Sequence, residues 1–264
     1  MRDGVGGTQM DLGIKGRVAL ITGGARGLGL AEAEALAAEG VSIAVNDVDR
    51  DAADQAVSRL KELGVNAAAF IGDAADEAVV VNLTKQVVGE LGRLDILVNN
   101  AGIGARPSYR VQDMPADAWD RMVHIHMRST FLWTREAIPA MRSQGWGRII
   151  NTSSMNYTGG GRAGVSHYVA AKAGIAGFTR TVAKEVGSYG ITANAIAPGY
   201  VETDLIGGFT SEMLAVVREQ NPLRRLCTPR EIGSAVAFLA SSNSAFINGE
   251  LLCIDGGRRE FYWG

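Results

Sequence analysis

Only two of the 264 residues are cysteines, Cys227 and Cys253, and they form no CxxC pair. That excludes a disulfide-stapled secreted scaffold and leaves two reduced thiols as the expectation. Three histidines without nearby cysteine partners make no zinc pattern, so no metal site is expected. No segment reaches the roughly 18 unbroken apolar residues of a membrane helix. The first ten residues, MRDGVGGTQM, lack the apolar core of a signal peptide and read as a loose tail, within which Met10 offers an alternative start. An excess of charge is also missing. A net charge of -2 gives no means of holding a phosphate backbone, so nucleic acid is not expected as a partner, and it leaves subunit association unopposed. The chain has no Pro/Ser-rich linker, low-complexity tract or internal repeat. A cytoplasmic location and one domain over residues 14–257 follow as expectations, with tails at 1–13 and 258–264.

What is present is a cadence. Apolar runs at residues 17–22, 41–46, 67–71, 94–99, 148–152, 192–196 and 251–254 alternate with longer Ala/Leu-rich stretches at 29–39, 51–63, 76–91, 115–143, 166–187 and 229–240. Most of the runs are apolar throughout rather than at every second residue, so both faces of each strand are covered. The fold class expected is α/β, a doubly wound parallel sheet of about seven strands, Rossmann-like, with helices on both faces. Leu30, Ala33 and Ala37 form the apolar stripe of the first helix, and Pro139 is expected to kink the long helix at 115–143. In such a sheet, ligands bind beyond the carboxyl ends of the strands.

Thr22-Gly23-Gly24-Ala25-Arg26-Gly27-Leu28-Gly29 follows the first strand and opens the first helix. Glycines there let a pyrophosphate approach backbone N–H groups at a helix start. Asp47, 18 residues after Gly29, ends the second strand, where a carboxylate accepts both ribose hydroxyls of NAD and repels a 2′-phosphate. Arg26 argues for the phosphate, and a turn role for Asp47 in Asn46-Asp47-Val48-Asp49 is the plainer reading. Asp73 either meets the adenine amino group or caps the helix that starts near Asp76.

Tyr168 and Lys172 are four residues apart, on one helix face. A free phenol has a pKa of about 10 and is no base at neutral pH. A nearby ammonium and an oxidised nicotinamide would lower it by ~2–3 units, which takes about 3–4 kcal/mol of differential interaction. Ser154 ends the fifth strand, where it can hold a substrate oxygen. A surface tyrosine with a solvated lysine is the alternative.

With these residues together the chain resembles the short-chain dehydrogenase/reductases. The matching motifs are TGGARGLG at 22–29, Asp73, NNAG at 99–102, the serine pair at 153–154, YVAAK at 168–172, PGYVET at 198–203 and NGELLCIDGG at 248–257. The resemblance implies an NAD-dependent oxidoreductase acting on a secondary alcohol or ketone. Tyr168 would be its general acid/base, Ser154 would hold the substrate oxygen, and Lys172 would hold the nicotinamide ribose. The implied cofactor set is Gly23, Arg26, Gly27, Leu28, Gly29, Asp47, Asp73, Ala74, Asn100, Ala101, Gly102, Tyr168, Lys172, Pro198, Gly199, Val201 and Thr203. It also implies a homotetramer or dimer pairing the helices at 115–143 and 166–187. One position departs: His126 stands where the family usually has Asn in a proton relay to the lysine. A neutral imidazole both donates and accepts, so His126 is a candidate substitute, against the alternative of a helix residue outside the relay.

Residues 202–226 interrupt the cadence and read as a lid over the substrate, or as an ordinary helical insertion. Met155, Asn156, Tyr157, Val165, Tyr200, Leu205 and Phe209 are expected near the pocket. Arg106 and Arg162 either meet an anionic substrate or are simply exposed. The tail RREFYWG at 258–264 is expected to dock on a neighbouring subunit. Other readings are an NADP-preferring reductase, a lyase or dehalogenase on the same scaffold, and a non-catalytic dinucleotide-binding protein.

Overall fold

The computed structural model of the protein describes residues 11–159, 161–203 and 206–258. In chain order the strands are β1 (Val18–Thr22), β2 (Ser42–Asp47), β3 (Ala67–Ile71), β4 (Ile96–Asn99), β5 (Gly147–Thr152), β6 (Ile191–Pro198) and β7 (Leu251–Ile254). The helices are α1 (Gly27–Ala38), α2 (Arg50–Glu62), α3 (Glu77–Leu91), α4 (Ala116–Val123), α5 (Ser129–Gln144), the short α6 (Asn156–Gly159), α7 (Ser166–Val186), α8 (Ser211–Glu219) and α9 (Pro229–Ala240). All seven strands join one parallel sheet in the order β3-β2-β1-β4-β5-β6-β7. The order reverses beside β1, and the crevice at that switch point lies over the carboxyl ends of β1 and β4.

Strands β1, β4, β5 and β6 are buried at every residue, which is why their sequences do not alternate. One layer of core joins the sheet to α1, α2 and α9, and includes Leu36, Ile43, Ile150 and Ile232. The other joins it to α3, α5 and α7, and includes Leu97, Trp133, Ile149 and Val182. Truncating a buried leucine such as Leu36 to alanine costs about 2–5 kcal/mol in such cores. The helix starts are set by local chemistry. The Asp49 and Asp76 side chains accept from the backbone of Ala52 and Val79, capping α2 and α3. Thr228 and Glu231 form a reciprocal capping box at α9. Helices α1 and α9 approach so closely that a Cβ on Gly233 would lie 2.5 Å from the Ala31 carbonyl oxygen.

The stretch expected as one helix at 115–143 is divided, but not at Pro139, which lies inside α5. The division is a π-helical turn at His124–Arg128. The Ser129 and Thr130 hydroxyls donate to the carbonyls of Ile125 and His126 at 2.7 and 2.8 Å, satisfying groups that the widened turn frees. Strand β6 runs two residues further than its apolar run, ending at Pro198. Among the described residues no helix is long and apolar enough to cross a membrane.

Candidate active site

The glycine-rich turn leaves β1 and enters α1. Gly23 and Gly27 have φ of +61° and +56°, a region side chains avoid. Gly29 is required for another reason: a Cβ there would lie 2.2 Å from the Gly23 carbonyl oxygen and 2.6 Å from Nδ2 of Asn100. Asn100 donates from that amide to the carbonyls of Thr22 and Gly23, and so locks the end of β4 to the turn. Beside Gly27 a Cβ would meet nothing within 4 Å, and no side chain caps α1. The helix start therefore presents amides to an open space, the arrangement that receives a phosphate. The residues present fit a dinucleotide pyrophosphate.

Asp47 is the last residue of β2, with one carboxylate oxygen accepting from the Ala25 amide and the other from the Asp49 amide. The Arg26 guanidinium is engaged by Asp49. The tension between Asp47 and Arg26 in the sequence is thereby reduced, because a neighbouring carboxylate already neutralises the arginine. Asp73 does not cap α3; Asp76 does, while Asp73 accepts from the Ala75 amide in the loop before it. Ala74 is half-buried in the same loop. Ala101 donates its amide to Thr22 Oγ1, and Gly102 lies flat against the imidazole of His126, where a Cβ would be 2.5 Å from Cε1. Opposite, Gly199 packs on Asp255 and donates to the Ile254 carbonyl, Val201 bridges to Cys227, and Pro198 accepts from the Met155 amide. Thr203 accepts from the Ile206 amide.

Ser154 follows β5, and Tyr168 and Lys172 project from α7, so three elements bring these side chains to one place. Ser154 shares a hydrogen bond with the Tyr168 phenol, which favours ionisation, but desolvation outweighs it and holds the Tyr168 pKa above its ordinary value. The protein alone thus keeps this phenol protonated; the expected depression by Lys172 is not its state here. The Lys172 ammonium donates to the Thr152 carbonyl at 2.7 Å and sits 5.9 Å from the Tyr168 ring centre. Burial lowers its pKa to about 7. The lysine is itself too desolvated to act as a fixed full charge near neutrality, which explains the difference.

His126 is buried in the π turn, edge-on to Tyr168 with ring centres 5.5 Å apart. Its Nε2 lies 3.0 Å from the Ile103 carbonyl oxygen and 3.3 Å from the Ile103 amide nitrogen, so it serves one of the two according to its tautomer. Nδ1 is buried without a partner. Burial, then the nearby Lys172 charge, holds its pKa well below the usual imidazole value, leaving it neutral.

On the substrate side Met155 is buried, and the Asn156 amide donates to Ser154 Oγ at 3.3 Å. Tyr200 meets Phe209 edge-on at 5.9 Å between ring centres. Leu205 lies outside the described residues, as do residues 259–264 of the tail. Arg106 and Arg162 are exposed; Arg106 lies over the Phe209 ring and Arg162 donates to Ser108. A cleft of about 330 Å³ opens between residues 109–112 and 161–166, lined in part by Arg110 and Arg162. Sequence reasoning missed Arg258. It is buried, stacks on Tyr200 with 4.7 Å to the ring centre, and donates to Val217 and Gln220 at the end of α8. Nothing in RREFYWG distinguishes its first arginine from a solvated one.

A family model described as Enoyl-(Acyl carrier protein) reductase matches residues 23–259. The cis-4-hydroxycyclohexanecarboxylate dehydrogenase of Sinomonas cyclohexanicum is 38% identical over 91% of this chain and 96% of its own. The 3-oxoacyl-(acyl-carrier-protein) reductase of Escherichia coli is 38% identical over 93% of this chain and 98% of its own. A 7α-hydroxysteroid dehydrogenase, solved with NADH and 7-oxo glycochenodeoxycholic acid, superposes with a TM-score of 0.89 at 32% identity, covering 94% of this chain and 96% of that one.

Proposed function

The chain belongs to the short-chain dehydrogenase/reductase family, and from that premise we propose that it interconverts a secondary alcohol and a ketone with NAD(H), Tyr168 acting as general acid/base. The observation that supports this best is the meeting of Ser154, Tyr168 and Lys172 beside the glycine-rich turn. When bound, the dinucleotide supplies the hydride acceptor or donor. Ser154 donates to the substrate oxygen. Tyr168 takes the hydroxyl proton as the alcohol is oxidised and returns it when the ketone is reduced. Lys172 and the oxidised ring add the positive charge that the isolated site lacks, and bring the phenol into range. His126 braces Ile103 and the turn beneath Tyr168 from a neutral imidazole.

NAD is favoured over NADP by the carboxylate of Asp47 at the end of β2 and by the engagement of Arg26 with Asp49. The lid reading of residues 202–226 draws support from the Tyr200–Phe209 contact and from Arg258, which ties Tyr200 to α8. A carboxylate-bearing substrate suits the arginines at the rim, and among the described residues no carboxylate pairs with Arg106, Arg110 or Arg162. Two of the similar proteins act on or hold such acids by name. We read the assembly as a cytoplasmic homotetramer; Trp119 and Phe131, 41% and 43% exposed on α4 and α5, are available for pairing between subunits.

The test is a panel of secondary alcohols, hydroxy acids and their ketones, with an enoyl thioester as control, followed by reduced-cofactor absorbance with each dinucleotide. Turnover with NAD on an alcohol, lost by about a thousandfold or more in Tyr168→Phe, is expected. Undiminished turnover in Tyr168→Phe would reject the assignment.

A further inference from the structure

Glu32 lies in the first helix, four residues beyond Leu28 of the glycine-rich turn. Its exposure is 0%, and neither carboxyl oxygen has a hydrogen-bond partner. A carboxyl buried this way is costly, and a fold that needs only packing at this site has an aliphatic side chain available. What surrounds Glu32 is therefore informative. Along β5, Ile149 packs with α7 and Ile150 with α1, while Asn151 reaches Thr179 of α7. By alternation, Thr152 faces the α1 layer, and its hydroxyl is another buried group without a partner. The Thr152 carbonyl is the acceptor for Lys172. Lys172 and Glu32 thus approach the carboxyl end of β5 from opposite faces of the sheet, and each feels the other's charge.

No other ionisable group competes for Glu32. Helix α9, packed along α1, buries Ile232, Gly233, Val236 and Ala237, and the neighbouring strands bring Ile21, Thr22, Ile150 and Thr152. Lys172 is the one charge acting on Glu32, whereas His126, Tyr168 and His167 lie on the far side of Lys172. We propose that Glu32 is a positioning residue for proton transfer: a buried carboxyl behind the dinucleotide groove whose ionisation keeps Lys172 charged, and so sets the alkaline limit of the Tyr168–Lys172 pair. This rests on the reading of Tyr168 as the acid/base.

The electrostatics give the sign. Burial raises the Glu32 pKa to about 8, opposed by the Lys172 charge, and burial lowers Lys172 to about 7. Below that range Glu32 is a neutral acid and does nothing for the lysine. As pH rises it becomes a carboxylate, and the ammonium is retained where it would otherwise be lost. The amide of Glu32→Gln imitates the neutral acid at every pH.

The experiment compares kcat/KM for alcohol oxidation across pH in the parent, Glu32→Gln and Glu32→Met, the last an uncharged replacement in case the amide destabilises the fold. Both variants should converge with the parent near about pH 6 and fall about tenfold below it above about pH 9, the alkaline limb moving down by about one unit. A uniform loss at all pH values would mean a packing role only and would overturn the proposal. A second readout needs no turnover. Infrared absorption of the cofactor-free protein should show a protonated carboxyl near neutrality that fades toward about pH 9 and is missing in Glu32→Gln. A parent without that band near pH 6 would also overturn it. If Tyr168→Phe keeps its activity, the acid/base reading fails first; if Tyr168→Phe is inactive and the alkaline limb stays in place in both Glu32 variants, only the Glu32 inference fails.

Discussion

Two buried carboxyls, one at each end of the sheet, have opposite surroundings. Asp95, at the amino end of β4, is fully buried and saturated: it accepts from Arg17, from the Val18 amide and twice from Arg93. Glu32, near the carboxyl ends, is equally buried and has no hydrogen-bond partner. The same contrast extends to their neighbours. In the middle of the sheet Asn99, Asn151 and Thr179 form a continuous hydrogen-bonded chain. At the carboxyl ends Nδ1 of His126 and the Thr152 hydroxyl are orphaned. One end spends its polar groups on holding the fold together. The other keeps them uncommitted, which is destabilising without a ligand and useful with one.

The comparison can be broken by mutation. The largest effect is expected at the saturated end. Asp95→Ala leaves Arg17 and Arg93 without their carboxylate and should destabilise by about 3–5 kcal/mol in denaturant unfolding, while the pH profile of surviving activity keeps its shape. A moved profile would mean that the two ends are not separable. Next comes Glu32. Its folded pKa of about 8 lies above its unfolded value, so the folded form binds its proton more tightly. The cost of burying it is absent below the unfolded pKa and grows as pH rises toward the folded one. Glu32→Gln should therefore gain stability relative to the parent, on the order of a few kcal/mol, between about pH 5 and pH 8; a gap independent of pH would contradict the orphaned state. The smallest effect belongs to His126. Alanine there should lower turnover about tenfold with little change in dinucleotide affinity, and His126→Asn should restore it, since one amide can donate to the Ile103 carbonyl while accepting from its N–H. Equal turnover in the alanine variant would remove His126 from the reaction.

The saturated and repeating parts of the molecule were legible in the sequence for physical reasons. Strands buried on both faces show as unbroken apolar runs, and a turn that needs positive φ shows as glycine. Asp47 stands out because it ends such a run. What stayed hidden depends on contacts distant in the chain. GLAEAEALAAE places Glu32 and Glu34 alike among the polar positions of a helix; only the arrival of α9, some two hundred residues later, makes one of them interior. Gly29, Ala33, Leu36 and Ala37 are buried beside Glu32, whereas Leu30, part of the expected stripe, is only half-buried. The π turn was equally invisible, because Pro139 is the stronger local signal for a break and the hydroxyls that stabilise the turn, Ser129 and Thr130, are common in helices. The desolvation of Tyr168 and Lys172, which reverses the expected direction of the tyrosine's shift, is a property of the packed site and not of the YxxxK spacing.

The central claim is that Tyr168 is a phenol the protein keeps protonated until positive charge joins it. Ultraviolet difference titration of the phenolate, with Tyr168→Phe as the blank, tests this directly. Without dinucleotide, Tyr168 should ionise above the free value of about 10; with saturating NAD it should ionise well below it. Ionisation at the same pH in both states would contradict the account.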